Sequence, residues 1–253
     1  MLQEGTVLHG LGPKTMLFIL IVTSVMHCTS PVIQIAHGTK WITFIDVIVR
    51  TNIVSEVENI GNILTCVNQC FQNEACVSVF YRQQHQRCQL HDVLFMSPQD
   101  GEQEAGTVYY SVATDGCPPT YVHNRILNIC YQVQYNLVTY ADGVADCNSR
   151  GDHYIVIDNV DKQNHMLKQI NSSSDGLAKK YHIDGSDNTT EGTWLLHDGR
   201  VMTYFAWSPG YPMNSSLKNF LIADPTDDFR WGDKSGNLGK RYICERDIFI
   251  TCP

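Results

Sequence analysis

Apolar and polar positions alternate along the 253-residue chain in a few distinct patterns, and each pattern predicts an element. Residues 16–26 are apolar apart from Thr23 and Ser24, follow Lys14, and give way to His27, Cys28, Thr29, Ser30 and Pro31. A membrane span needs ~20 apolar residues and this run is about half that, so it predicts a secretory leader over residues 1–30 instead of an anchor. Residues 41–49, rich in β-branched and aromatic types, predict a strand. Ile63, Cys66, Val67 and Cys70 recur at helical spacing behind Asn62 or Thr65 as the cap, which turns both cysteines inward on consecutive turns. Strands follow at 77–81, 88–90 and 107–112.

A turn-rich stretch, 113–119, then separates two differently patterned halves. Short strands around Cys117 and Cys130 predict a small hairpin. Thr139 is placed to cap a helix whose Tyr140, Val144 and Cys147 share a face and whose stop is Gly151. Asp158 or Asn159 opens a second helix with Gln163, Met166, Leu167 and Ile170 on one side. Helical periodicity ends there. Short strand-like pieces at 194–196, 204–207, 220–223, 229–231 and 242–245 are separated by Gly, Asp and Asn. The predicted class is α+β, in two modules.

Composition narrows the function. Hydrophobic residues make up 43% of the chain and charged residues 17%, enough apolar material for packed cores in both halves. The formal charge is −8, and removing residues 1–30 takes away only Glu4 and Lys14, so the mature chain keeps it. Such a chain repels phosphate backbones, which argues against nucleic acid as a partner. Ten cysteines suit an oxidising, extracellular compartment, and no second apolar run reaches spanning length, so the expected product is secreted, without membrane insertion.

The cysteines lie in clusters: Cys66, Cys70, Cys76 and Cys88, then Cys117, Cys130 and Cys147, then Cys244 and Cys252. The two-cysteine helix, Cys76 ahead of the aromatic Phe80 and Tyr81, and Cys88 before Leu90 resemble the PAN or apple domain over residues 32–113. By that likeness Cys66 joins Cys88 and Cys70 joins Cys76, one of three connectivities four cysteines allow. A zinc site of His85, Cys88 and His91 is the competing reading, disfavoured where thiolates oxidise. Residues 117–246 are similar to a C-type lectin domain. The match runs through Cys117 and Cys130, 140–147, Ile183, Asp184 and Gly185, Glu191, Gly192, Trp194, Asp198 and Gly199, Trp207, and Tyr242, Ile243, Cys244 and Glu245. The likeness pairs Cys117 with Cys130 and Cys147 with Cys244, the latter closing a loop that chain entropy values at ~4–5 kcal/mol. Residues 247–253 are left as a short tail.

Departures from the lectin pattern bear on chemistry. No cysteines stand near Asn219 or Asn237 for the family's second core disulfide, a space Phe220 is placed to fill. Sugar-binding members of that family hold Ca²⁺ with a Glu-Pro-Asn or Gln-Pro-Asp loop, a downstream carboxylate and a Trp-Asn-Asp strand, because a hard cation takes six to eight oxygens. Here the loop reads Tyr211, Pro212, Met213, the downstream stretch Leu217, Lys218, Asn219, and the strand Trp231, Gly232, Asp233. Asp224, Asp227, Asp228 and Asp233 read as solvated acids before they read as a rebuilt cation site. No metal site or cofactor is therefore expected, although structural calcium elsewhere in the domain stays open.

The expected ligand-binding surface is Tyr211, Pro212, Asn214, Trp231 and Asp233, where aromatics could stack on sugar faces or bury against protein. Asn171, Asn188 and Asn214 head N-glycosylation sequons. Arg150, Gly151 and Asp152 spell an integrin-type tripeptide, for which a helix-capping Gly151 is the simpler explanation. Ser235 lacks nucleophile-elbow spacing and no histidine is placed to activate it, so no catalytic residue is expected. Cys252 is left over if Cys28 leaves with the leader, which suggests an interchain disulfide and a homodimer. The resemblance implies a secreted carbohydrate- or glycoprotein-binding protein. A matrix adhesion protein and a calcium-dependent innate-recognition lectin are the alternatives.

Overall fold

The computed structural model describes residues 34–114, 116–213 and 215–248, together with the strands Gly10–Leu11 and Thr15–Leu20. Cys28, Asn214 and Cys252 lie outside the described residues, as does most of the expected leader. The chain divides into two compact units, Met1–Cys130 with Ile248–Pro253, and Tyr131–Asp247. The architecture is α+β.

In the first unit a single helix, α1 (Ile63–Gln72), lies on an antiparallel sheet ordered Gly10–Leu11, Thr15–Leu20, Gln34–Lys40, Thr107–Thr114, Ser78–Arg82, Arg87–His91 and Ile53–Val57. Asn62 is the cap: its Oδ1 accepts the Thr65 amide at 2.9 Å. Cys66, Val67 and Cys70 bury against Val79, Tyr81, Leu90, Tyr110 and Val112, so the helical stripe meets one face of the alternating strands. Phe80, pointing the other way, stacks on Tyr109 at 4.4 Å and joins Phe44 and Phe95. Disulfides Cys66–Cys88 and Cys70–Cys76 cross the core, so Cys88 is no zinc ligand. Nearby, Cys117–Cys130 closes a small cluster with Ala113 and Tyr121.

One predicted strand is corrected. Residues 42–44 form a 3₁₀ turn, and only Val47–Ile48 pairs, with Glu102–Gln103. Asp46 takes φ 59°, and its carboxylate accepts the Gly106 amide at 2.7 Å. This turn interrupts the period of two, leaving Ile42 and Ile45 exposed while Phe44 is buried.

The second unit carries α2 (Tyr140–Ser149) and α3 (Val160–Asn171). Thr139 and Asn159 cap them, and Gly151 takes φ 75° just beyond α2. Strand Tyr181–Ser186 runs parallel to Lys240–Arg246 and antiparallel to Phe220–Asp224, which pairs with Arg230–Lys234. Cys147 on α2 is bonded to Cys244 across 97 residues. Phe220 packs against Tyr140, ring centres 4.3 Å apart, and a Cβ at Gly236 would come within 2.9 Å of its ring.

Two more expectations change here. On α3 the buried face is Gln163, His165, Met166, Gln169 and Ile170, and Leu167 is only half-buried. Polar residues hold that face because they have partners: Gln163 accepts Trp231 Nε1 at 3.0 Å and donates to the Phe229 carbonyl, and His165 meets the Tyr131 hydroxyl at 2.7 Å. Residues 204–207 form no strand and touch the sheet by one bridge, Trp207 to Trp231.

Candidate functional site

The loop from Asp187 to Asn219 has no long helix or strand, and aromatic packing gives it shape. Trp207 stacks on Phe205 at 5.5 Å and meets Trp194 edge-on at 5.2 Å, with Trp231 beneath at 6.3 Å. Main-chain bonds fasten it to the last sheet strand: the Trp231 amide donates to Ala206 and the Ser208 amide to Trp231. At its other end Asp184 accepts both the amide and the ring N–H of His197, the ring at 2.7 Å, which raises the His197 pKa. The rings of His197 and His153 stack at 4.0 Å.

The five residues expected to form the binding surface divide by depth. Tyr211 and Pro212 are half-buried and sit at the surface. Trp231 is fully buried, with its indole N–H on Gln163, so it supports the loop from within and offers no face to a ligand. Asp233 is also buried, and its carboxylate accepts the Met213 amide at 2.9 Å. The Tyr211 ring lies over Gly232, where a Cβ would sit 3.0 Å from the ring edge. Glycine at this position therefore gives Tyr211 its seat.

Two cations complete the arrangement, Lys218, already noted in the downstream stretch, and Lys234, which sequence reasoning passed over. Lys234 donates to the Tyr211 hydroxyl at 2.7 Å, with its ammonium 4.8 Å from the ring centre. Lys218 reaches the Met213 sulfur at 2.9 Å. Neither contact had a sequence signal, since both depend on how the loop folds back over the strand.

The other acids of the region are engaged by protein partners. Asp224 pairs with Lys180, Asp227 accepts the Ser208 hydroxyl at 2.6 Å, and Asp228 pairs with Arg230 at 3.1 Å. Among the described residues no group of three His, Cys, Asp or Glu side chains is arranged to hold a metal ion. In the Arg150-Gly151-Asp152 tripeptide, Asp152 is buried and accepts Arg246 Nε at 2.7 Å, while Arg150 pairs with Asp146. The tripeptide is thus folded into the domain and not displayed. Asn171, at the end of α3, and Asn188 are exposed.

The PAN domain profile matches residues 39–114 and the Lectin C-type domain profile matches 136–246. The chain carries a PAN domain followed by a C-type lectin domain, both non-enzymatic families. It is similar to a tetranectin-like protein of Carcharhinus perezii, 28% identical over 50% of this chain and 73% of that one. It is 27% identical to C-type lectin domain family 3 member A of Mus musculus, over 50% of this chain and 62% of the relative, less than two thirds of its length. Among solved structures, C-type lectin CEL-I from Cucumaria echinata aligns at TM-score 0.48 and 19% identity, covering 53% of this chain and all of that one. The mouse scavenger receptor C-type lectin carbohydrate-recognition domain aligns at 0.47 and 20% identity, over 53% and 99%. No helix among the described residues is long and apolar enough to cross a membrane.

Proposed function

We propose that this protein is a secreted glycan- or glycoprotein-binding protein that captures its ligand without a calcium-bridged sugar. Its binding face is the loop surface around Tyr211, Pro212 and Asn214, built on Trp231 and Asp233. The observation that carries the reading is the donor set at the loop: an aromatic ring, a thioether, an ammonium, and one buried carboxylate already accepting the Met213 amide. Calcium needs six to eight oxygens, and these residues do not fit it. A half-buried tyrosine backed by a lysine suits a sugar ring, whose C–H face lies on the aromatic while its hydroxyls take hydrogen bonds.

Removal of residues 1–30, glycans on Asn171 and Asn188, and a Cys252-linked homodimer belong to the same proposal. The dimer is checked on a non-reducing gel of the mature protein, where monomer alone argues against it. The adhesive reading through the Arg-Gly-Asp tripeptide loses its support because Asp152 is buried.

The test is a glycan array probed with wild type and Tyr211→Ala. Loss of one aromatic stacking contact is expected to weaken binding about three- to tenfold. Equal binding by both proteins would move the site elsewhere.

A further inference from the structure

Although the chain is acidic overall, one part of the lectin unit is cationic. Lys179 and Lys180 precede strand Tyr181–Ser186, and Lys240 opens the strand parallel to it. The register pairs Tyr181 with Arg241, and the Arg241 amide donates to the Lys180 carbonyl at 3.1 Å, so Lys180 and Lys240 sit side by side. Lys234 comes in from the neighbouring hairpin. Burial together with Lys180, Lys234 and Lys179 holds the Lys240 ammonium below the usual lysine range.

Among the described residues, little neutralises this group. Asp224 pairs with Lys180, but Lys234 donates to the neutral Tyr211 hydroxyl and Lys240 to the Gly239 carbonyl. The neighbouring arginines are already taken: Arg230 lies on Asp228, and Arg241 on Asp175. Lys179, Lys180 and Lys234 all act repulsively on Lys240, while Asp224 pairs with Lys180, and a bound anion would relieve that repulsion.

We infer that this lysine group is an anion-binding extension of the Tyr211 face, and that the preferred ligand is a saccharide carrying sulfate or carboxylate groups. This rests on the glycan-binding reading above. Lys234 joins the two parts, since its ammonium touches Tyr211 on one side and belongs to the cationic group on the other. A sugar ring stacked on Tyr211 would place its acidic substituents toward Lys234, and a longer chain would carry further ones to Lys240 and Lys180. An acidic peptide fits less well, because it brings charge without a flat C–H face for the tyrosine.

The experiment measures binding of the full mature protein to immobilised sulfated, sialylated and neutral oligosaccharides and to a poly-glutamate peptide, with a chelator present. Wild type is expected to prefer one or both anionic saccharides over the neutral ones and over the peptide. That preference should fade as salt rises from about 0.1 M to about 1 M and the screening length falls from ~10 to ~3 Å. The double variant Lys180→Ala/Lys240→Ala is expected to lose about tenfold or more in affinity, from two charge-assisted hydrogen bonds. Lys179→Glu, at an exposed position, provides a second variant that keeps the fold and should weaken binding in the same direction. Lys240→Arg should retain binding, and Lys168→Ala on α3 should leave it unchanged.

No preference for anionic saccharides, equal retention of the peptide, or equal loss from Lys168→Ala would overturn the inference. If neutral glycans bind and only Tyr211→Ala weakens them, this inference alone fails. If anionic saccharides bind through the lysines only when calcium replaces the chelator, the metal-free reading fails instead.

Discussion

His91, His123 and His182 are each buried, and burial pushes the pKa of each down to about 4. An unfolded histidine titrates near 6.5, so between about pH 4 and 6.5 the unfolded chain binds protons that the folded one refuses. Stability therefore rises with pH across that window and falls on acidification, by about 3 kcal/mol at most for each histidine. Thermal midpoints recorded from pH 7 down to about 4.5 should drop steadily. In the lectin unit, His182→Phe, beside the Tyr140 and Tyr154 rings, should make that dependence shallower. Flat midpoints would contradict the burial argument. Trp231 is the other residue on which much turns. Its deletion to alanine should cost about 3–5 kcal/mol in urea unfolding, because it lies fully buried beneath Tyr204, Phe205 and Trp207. An aromatic between polar neighbours looks like surface in sequence. What makes it core is Gln163, 68 residues away, and local pattern carries no trace of such a partner.

Among the elements, α2 holds an instructive glycine. Gly143 lies in its middle, where alanine is ordinarily better by about 1 kcal/mol. Here a Cβ would meet the Tyr154 hydroxyl at 2.0 Å, and that hydroxyl donates to the Tyr140 carbonyl at 2.9 Å. Gly143→Ala is thus expected to destabilise by about 1–3 kcal/mol despite its better propensity, read as a lowered thermal midpoint. A raised midpoint would show that Tyr154 moves aside freely. The helices were legible in sequence because capping and periodicity are local: Asn62, Thr139 and Asn159 all cap as their side chains allow. Illegible features depend on distant partners. Asp46 turns the chain to meet Gly106, and His165 and Gln169 bury on α3 where apolar periodicity pointed to Leu167.

For the whole molecule, cysteine spacing with the family likeness gave all four disulfides among the described residues. The departures from the lectin pattern at Tyr211, Met213 and Lys218 can be read from sequence, but the depth of the candidate site cannot, since burial of Trp231 and Asp233 depends on the loop folding over the strand. Closing a 97-residue separation, Cys147–Cys244 should contribute ~4–5 kcal/mol. Cys147→Ser/Cys244→Ser should accordingly unfold the lectin unit at markedly lower denaturant, and an unchanged midpoint would contradict that share. The central claim is that a C-type lectin domain here grips its glycan with an aromatic and lysines in place of a metal. The most direct measurement is glycan binding by the mature protein in calcium and again in excess chelator. The account predicts the same affinity in both, whereas binding abolished by the chelator and restored by calcium would contradict it.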